Sequence, residues 1–253
     1  MTASLAVFLG ILAAAILSMA AYAVAGRRRD ADAEKKGSRF LLGVGDFLVH
    51  WLMWVLRPVE RLSLHVGLTP DFFNFAGLLF GLSSGILIGL GRLELGGWAI
   101  ALGGLSDIMD GRIARARGLV SPYGQFIDST LDRFVEVFAF LGFVYYLRSF
   151  AWGPLLAAAA ITGSLLVSYT RARGESVGVL CKEGLMQRAE RLVLTLLVCL
   201  LDAPITAAMG KPAGTAVLWV LGLIAAGTFA TAVQRTWWIS ARLREKGPPK
   251  PSL

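Results

Sequence analysis

Asp107 and Asp110 stand three residues apart, and Asp128 and Asp132 four apart, in a chain whose surroundings are largely apolar. Positions three and four apart share one face of a helix. Asp107, Asp110, Gly111, Ala114 and Arg115 therefore form one stripe, and Asp128 and Asp132 a second, with Gly124 one turn earlier. A carboxylate in or beside a bilayer is costly unless it is paired, solvated or bound to a cation, which marks intramembrane acids as functional. Four carboxylates from two helices suit hard divalent cations, and Mg²⁺ in particular commonly bridges carboxylates and substrate phosphates. Two ions roughly 3.5–4 Å apart would stabilise the attacking and leaving oxygens of a phosphoryl displacement. Gly111, lacking a Cβ, lets a nucleotide approach the helix closely, and Arg115 could hold phosphate oxygens by charge-assisted hydrogen bonds. The structural alternative is that the acids tie helices together through Arg112, Arg117 and Arg133. Four acids at both spacings argue against it, and those three arginines read as topological or structural.

The elements that must position these residues are membrane helices. Of the 253 residues 56% are hydrophobic, more than a soluble core requires. A formal charge of +8 could indicate a nucleic-acid binder. That class is rejected because the basic residues sit at the ends of apolar segments, as the positive-inside rule requires. Cys181 and Cys199 fit no metal spacing and are expected as free thiols.

Residues 5–25 form an apolar run followed by Arg27, Arg28 and Arg29, read as a retained anchor helix rather than a signal peptide. A charged linker follows at 26–39. Residues 40–62 are too polar to span the membrane and suit an amphipathic helix in the interface. Thr69, Pro70 and Asp71 mark a helix start, with Asp71 read as the N-cap. Spans are expected at 71–91, 95–113, 124–147, 152–171, 189–206 and 214–234. Gly77, Gly81, Gly85 and Gly89 recur every four residues, a face for close packing within the bundle. With the first span running outside to inside, 21 of the 25 basic residues fall on inward segments, which places the aspartates near the cytoplasmic side. The expected fold is an all-α polytopic membrane bundle. It divides into an anchor and linker at 1–39, a membrane domain at 40–240 and a cytoplasmic tail at 241–253.

Written as a pattern, the acidic stretch is Asp-x2-Asp-Gly-x2-Ala-Arg-x8-Gly-x3-Asp-x3-Asp. In these residues the sequence resembles the CDP-alcohol phosphatidyltransferase family of integral membrane enzymes, and each signature position is filled. The resemblance implies a six-span core, to which the first helix is an addition, and a homodimer. It implies Asp107, Asp110 and Asp128 as ligands of Mg²⁺ or Mn²⁺, with two ions bound. Gly111 and Arg115 would lie beside the CDP moiety, and Asp132 would be a ligand or the base that deprotonates the acceptor hydroxyl. Asp71 matches the place where relatives contact cytidine, with Asn74 where they commonly carry a small hydroxyl residue.

The acceptor is suggested by residues beyond the signature. Arg171, Arg173, Arg188, Arg191 and Arg235 could form a cationic pocket for a phosphorylated alcohol, since guanidinium groups suit phosphate. The stretches carrying Ser168, Arg171, Arg173, Arg191 and Arg235 resemble the acceptor-site segments of phosphatidylinositol-phosphate synthases and their archaeal ether-lipid counterparts. The expected reaction is therefore transfer of a phosphatidyl group from CDP-diacylglycerol to inositol 1-phosphate at the inner membrane, with the site facing the cytoplasm. The alternatives are glycerol 3-phosphate as acceptor or, in another class, a cation carrier.

Overall fold

The computed structural model describes residues 3–24, 45–181 and 183–246. The expected linker at 26–39 and the last residues of the expected tail lie outside them. Eight α-helices make up the regular structure of the described residues: α1 (Ala3–Val24), α2 (Gly45–Val66), α3 (Pro70–Gly89), α4 (Leu93–Ala116), α5 (Pro122–Tyr146), α6 (Gly153–Ser176), α7 (Arg188–Ala208) and α8 (Thr215–Lys246). Five of these, α1, α3, α6, α7 and α8, are long and apolar enough to cross a membrane. Helices α4 and α5 have 24 and 25 residues, so they have the length. What lowers their apolarity is the charge they carry, including the aspartates of the signature. The protein is an all-helical polytopic membrane protein.

Two compact units are formed, Met1–Leu79 with Leu102–Leu131 and Phe80–Ala101 with Asp132–Leu253. In the first, α1 meets α2 through aromatic and hydroxyl contacts. The Trp51 indole N–H donates to Ser18 Oγ at 3.0 Å, and the Tyr22 ring lies 5.6 Å from Phe47 and 5.7 Å from Trp54. Helix α2 is amphipathic, burying Met53 and Leu56 while exposing Val55, Val59, Leu62 and Val66. It ends at Val66, four residues past the expected bound of 62, and residues 40–44 of the expected segment lie outside the described residues. Leu56 packs with Phe73, Met109 and Ile113 in a small apolar cluster under the acidic stretch. Arg112, buried on α4, pairs with Glu60 of α2 and so ties the two helices together.

The core of the second unit includes Ile88, Phe140, Phe143, Leu147, Val198, Val217, Leu221 and Ile224. Helix α8 packs along α6 and against α7. Its amino end is held by Asp202, a fully buried carboxylate on α7. Asp202 Oδ2 accepts the Gly214 N–H at 2.7 Å, and Oδ1 accepts those of Ala216 and Val217 at 3.1 and 3.2 Å. A buried carboxylate is stable there because three backbone donors and the positive end of the helix dipole satisfy it. Cys181 and Cys199 are buried and free. The helix α8 continues to Lys246, twelve residues past the expected end of the apolar run, so the first part of the expected tail is helical.

The glycine stripe on α3 serves packing inside the protein. A Cβ at Gly81 would stand 2.7–2.8 Å from Val135, and one at Gly85 would strike the Phe138 carbonyl. At Gly89 the nearest atom, Tyr145 Cδ1, would be at 3.7 Å, an ordinary contact. Because the obstacle at Gly85 is backbone, no rotamer change relieves it. Gly85→Ala should therefore lower the thermal unfolding temperature of the detergent-solubilised protein by several degrees, an overpacking cost of about 1–3 kcal/mol. Gly89→Ala should leave it within about a degree, and equal effects would contradict the packing assignment.

Candidate metal and nucleotide site

The turn between α4 and α5 sets the register of the acids. After α4 ends, the Gly118 N–H donates to Arg115 O at 3.2 Å and the Leu119 N–H to Ala114 O at 2.8 Å. Gly118 has φ +66°, the left-handed conformation that this helix stop needs and that glycine adopts without strain. Ser121 then caps α5, its Oγ accepting the Gly124 N–H at 3.1 Å, with Pro122 at the first helical position. The two helices are thus joined by a short, defined connection.

This geometry brings Asp107 and Asp110 of α4 together with Asp128 of α5. One carboxylate oxygen from each lies within 4.8 Å of the others. Asp110 is only 5% exposed, next in sequence to fully buried Met109, while Asp107 and Asp128 are half-buried. The Gly111 backbone N–H donates to Asp110 Oδ1. At such separations each carboxylate pair repels by roughly 3–4 kcal/mol at an effective dielectric of 20. A proton or a cation among these oxygens relieves that repulsion. Three convergent oxygen donors, part-buried and anionic, fit a hard divalent cation.

Arg115 lies back over Gly111. A Cβ at residue 111 would stand 3.1 Å from Arg115 Nη1, so glycine is what leaves room for the guanidinium one turn on. Asp71 and Asn74 lie on the first two turns of α3, Asp71 exposed and Asn74 half-buried. The N-cap of α3 is Thr69 rather than Asp71: Thr69 Oγ1 accepts the Phe72 N–H at 3.3 Å, and Pro70 opens the helix. Thr-Pro-Asp admits either capping register in sequence, and the structure leaves the Asp71 carboxylate out of that role.

Asp132, four residues beyond Asp128 along α5, belongs to the second unit, where it is ion-paired with Arg188. In the same unit Arg191 is 2% exposed and bidentate to Glu136. Its Nε donates to Oε1 at 2.5 Å and its Nη2 to Oε2 at 3.1 Å, while Nη1 donates to Met186 O at 3.2 Å. Buried Arg235 donates from Nε to Glu183 O at 2.7 Å and from Nη1 to Val167 O at 2.8 Å. Arg171 and Arg173 are exposed, Arg171 paired with Glu175 and Arg173 close to Ser176 Oγ. Ser168 Oγ donates to Ser164 O at 3.1 Å. Sequence reasoning missed Glu136, whose only signal was its place one turn after Asp132.

A sequence profile described as CDP-alcohol phosphatidyltransferase matches residues 67–241, more than two thirds of the chain. The chain belongs to the CDP-alcohol phosphatidyltransferase family. It is therefore a transferase of phospholipid biosynthesis, which removes the cation-carrier alternative. A phosphatidylinositol phosphate synthase of Streptomyces avermitilis is 35% identical over 188 residues, 72% of this chain and 76% of that one. An archaetidylinositol phosphate synthase of Methanothermobacter thermautotrophicus is 32% identical over 142 residues, 56% of this chain and 71% of that one. Among solved structures, the phosphatidylinositol phosphate synthase of Mycobacterium tuberculosis with CDP-DAG bound matches with a TM-score of 0.62 and 28% identity, over 72% of this chain and 92% of that one. The same enzyme in complex with manganese and citrate matches with a TM-score of 0.63 and 27% identity, over 72% and 88%.

The carboxylate cluster has a direct consequence for stability. Addition of Mg²⁺ or Mn²⁺ at a hundred times its Kd should stabilise the purified protein by about 2.7 kcal/mol, read as a rise in unfolding temperature. Asp110→Asn should remove that rise, whereas Glu94→Gln, on the same helix but outside the cluster, should keep it.

Proposed function

We propose that this enzyme transfers the phosphatidyl group of CDP-diacylglycerol to inositol 1-phosphate, giving phosphatidylinositol phosphate and CMP. The observation that carries the reading is the convergence of Asp107, Asp110 and Asp128 in a chain of this family, several of whose relatives are inositol-phosphate-lipid synthases.

Asp107, Asp110 and Asp128 would hold Mg²⁺ or Mn²⁺, with Asp132 as a further ligand or as the base, and two ions in all. When bound, the cations supply charge neutralisation at the pyrophosphate oxygens. Arg115 pairs with phosphate oxygens of the CDP moiety, which approaches over Gly111, and Asp71 and Asn74 receive the cytidine. The acceptor hydroxyl attacks the lipid-side phosphorus, the bond from that phosphorus to the bridging oxygen breaks, and CMP leaves. The hydroxyl proton passes to Asp132.

Ser168, Arg171, Arg173, Arg191 and Arg235 hold the acceptor's phosphate. Arg171 is free to turn toward it at little cost, because an exposed pair such as that with Glu175 contributes about 0–1 kcal/mol. A neutral or zwitterionic alcohol would have no use for these cations. The enzyme works as a homodimer in the inner membrane, with the site on the cytoplasmic side, where the positive-inside count puts the signature.

The test is CMP release by purified protein given CDP-diacylglycerol and Mg²⁺, with inositol 1-phosphate, inositol and glycerol 3-phosphate offered in turn. Selective release with inositol 1-phosphate is expected. Release with glycerol 3-phosphate instead would keep the transfer reaction and overturn the acceptor. Asp132→Asn should lower turnover by at least about a hundredfold while binding of CDP-diacylglycerol survives; normal turnover would exclude Asp132 as the base.

A further inference from the structure

We infer that Glu136 is a positioning residue for the acceptor's phosphate, acting through Arg191. The inference rests on the proposal that Arg191 belongs to the acceptor site.

Glu136 engages one edge of the Arg191 guanidinium. Both carboxylate oxygens are used, on Nε and Nη2, and the Met186 carbonyl takes a hydrogen from Nη1. A guanidinium carries five N–H donors, so two remain after these three bonds. The group is fixed in plane and in rotation, with its remaining donors on Nη1 and Nη2. A fork held in this way is ready for a planar, two-point contact with a phosphate and loses little freedom on binding it. The pair is also what allows a cation to be buried to 2% exposure, since a buried charge without a partner is strongly destabilising.

An unsatisfied donor beside the pair points to an anion as its ligand. Arg133 lies in the field of Asp132, Glu136, Arg188 and Arg191. One of the Arg133 donors, Nη1, is buried with no hydrogen-bond partner. A purely structural network would satisfy its donors. An orphaned buried donor beside the Arg191 guanidinium is what a phosphate ester would complete. Glu136 therefore has two effects: it keeps Arg191 from being a mobile cation that any anion could satisfy, and it sets the direction from which the phosphate is met.

The experiment is steady-state kinetics of the full-length protein with inositol 1-phosphate and CDP-diacylglycerol varied separately. Glu136→Asp keeps the countercharge, and so the fold, but withdraws the carboxylate by one methylene. It should raise the KM for inositol 1-phosphate roughly tenfold, the lower end of what loss of an orienting partner costs, and leave the KM for CDP-diacylglycerol within about twofold. An unchanged acceptor KM, or an equal rise in both, would overturn the inference. The exchanged pair Glu136→Arg with Arg191→Glu separates position from stability. It should recover the unfolding temperature relative to Arg191→Glu alone without recovering the acceptor KM, and recovery of both would make the pair structural only. Wild-type protein that saturates with another phosphate ester in place of inositol 1-phosphate would overturn the proposed acceptor, and the Glu136 variants would then be read with that ester.

Discussion

Three carboxylates, one of them buried, converge within 4.8 Å in a protein that is otherwise built to sit in hydrocarbon. Like charges this close repel one another, and a membrane offers little water to screen them. The fold opposes this with ordinary local devices. A glycine stop at Gly118 and a serine cap at Ser121 fix the connection between α4 and α5, so the acids cannot separate without undoing both helix ends. Beneath them, Met109 and Ile113 anchor the same helix in an apolar cluster, and the Arg112–Glu60 pair ties it to α2. A bound divalent cation would offset that repulsion.

The second unit handles charge differently. There the acids are matched to arginines: Asp132 with Arg188, and Glu136 with Arg191. These pairs join α5 to α7 at successive turns. Asp202 is satisfied instead by backbone donors at the start of α8. Charge in this unit is thus paired or capped where it holds helices together.

Much of this was legible in the sequence, and what was not follows a pattern. Helix positions, the acid stripes and the packing glycines are encoded in spacing along one chain segment, so periodicity reveals them. Arg112 was read as structural, but its partner Glu60 lies 52 residues away, and Glu136 is 55 residues from Arg191. Such pairs depend on which helices become neighbours, which no local pattern states. The capping of α3 was misassigned to Asp71 because Thr69 and Asp71 flank the same proline and both are good caps. The extent of α8 was underestimated because its apolar period ends near residue 234 whereas its helix does not. Arginines on a basic membrane surface were visible as a group. Their division into exposed Arg171 and Arg173 and buried Arg191 and Arg235 needed the fold.

The convergent aspartates are proposed to form a divalent-cation site. That proposal is tested most directly by growing crystals with Mn²⁺ and locating the ion by its anomalous scattering. The account predicts manganese at coordination distance, about 2.0–2.3 Å, from oxygens of Asp107, Asp110 and Asp128. Ordered manganese bound elsewhere in the protein, with these three carboxylates bridged only to arginines or water, would contradict it.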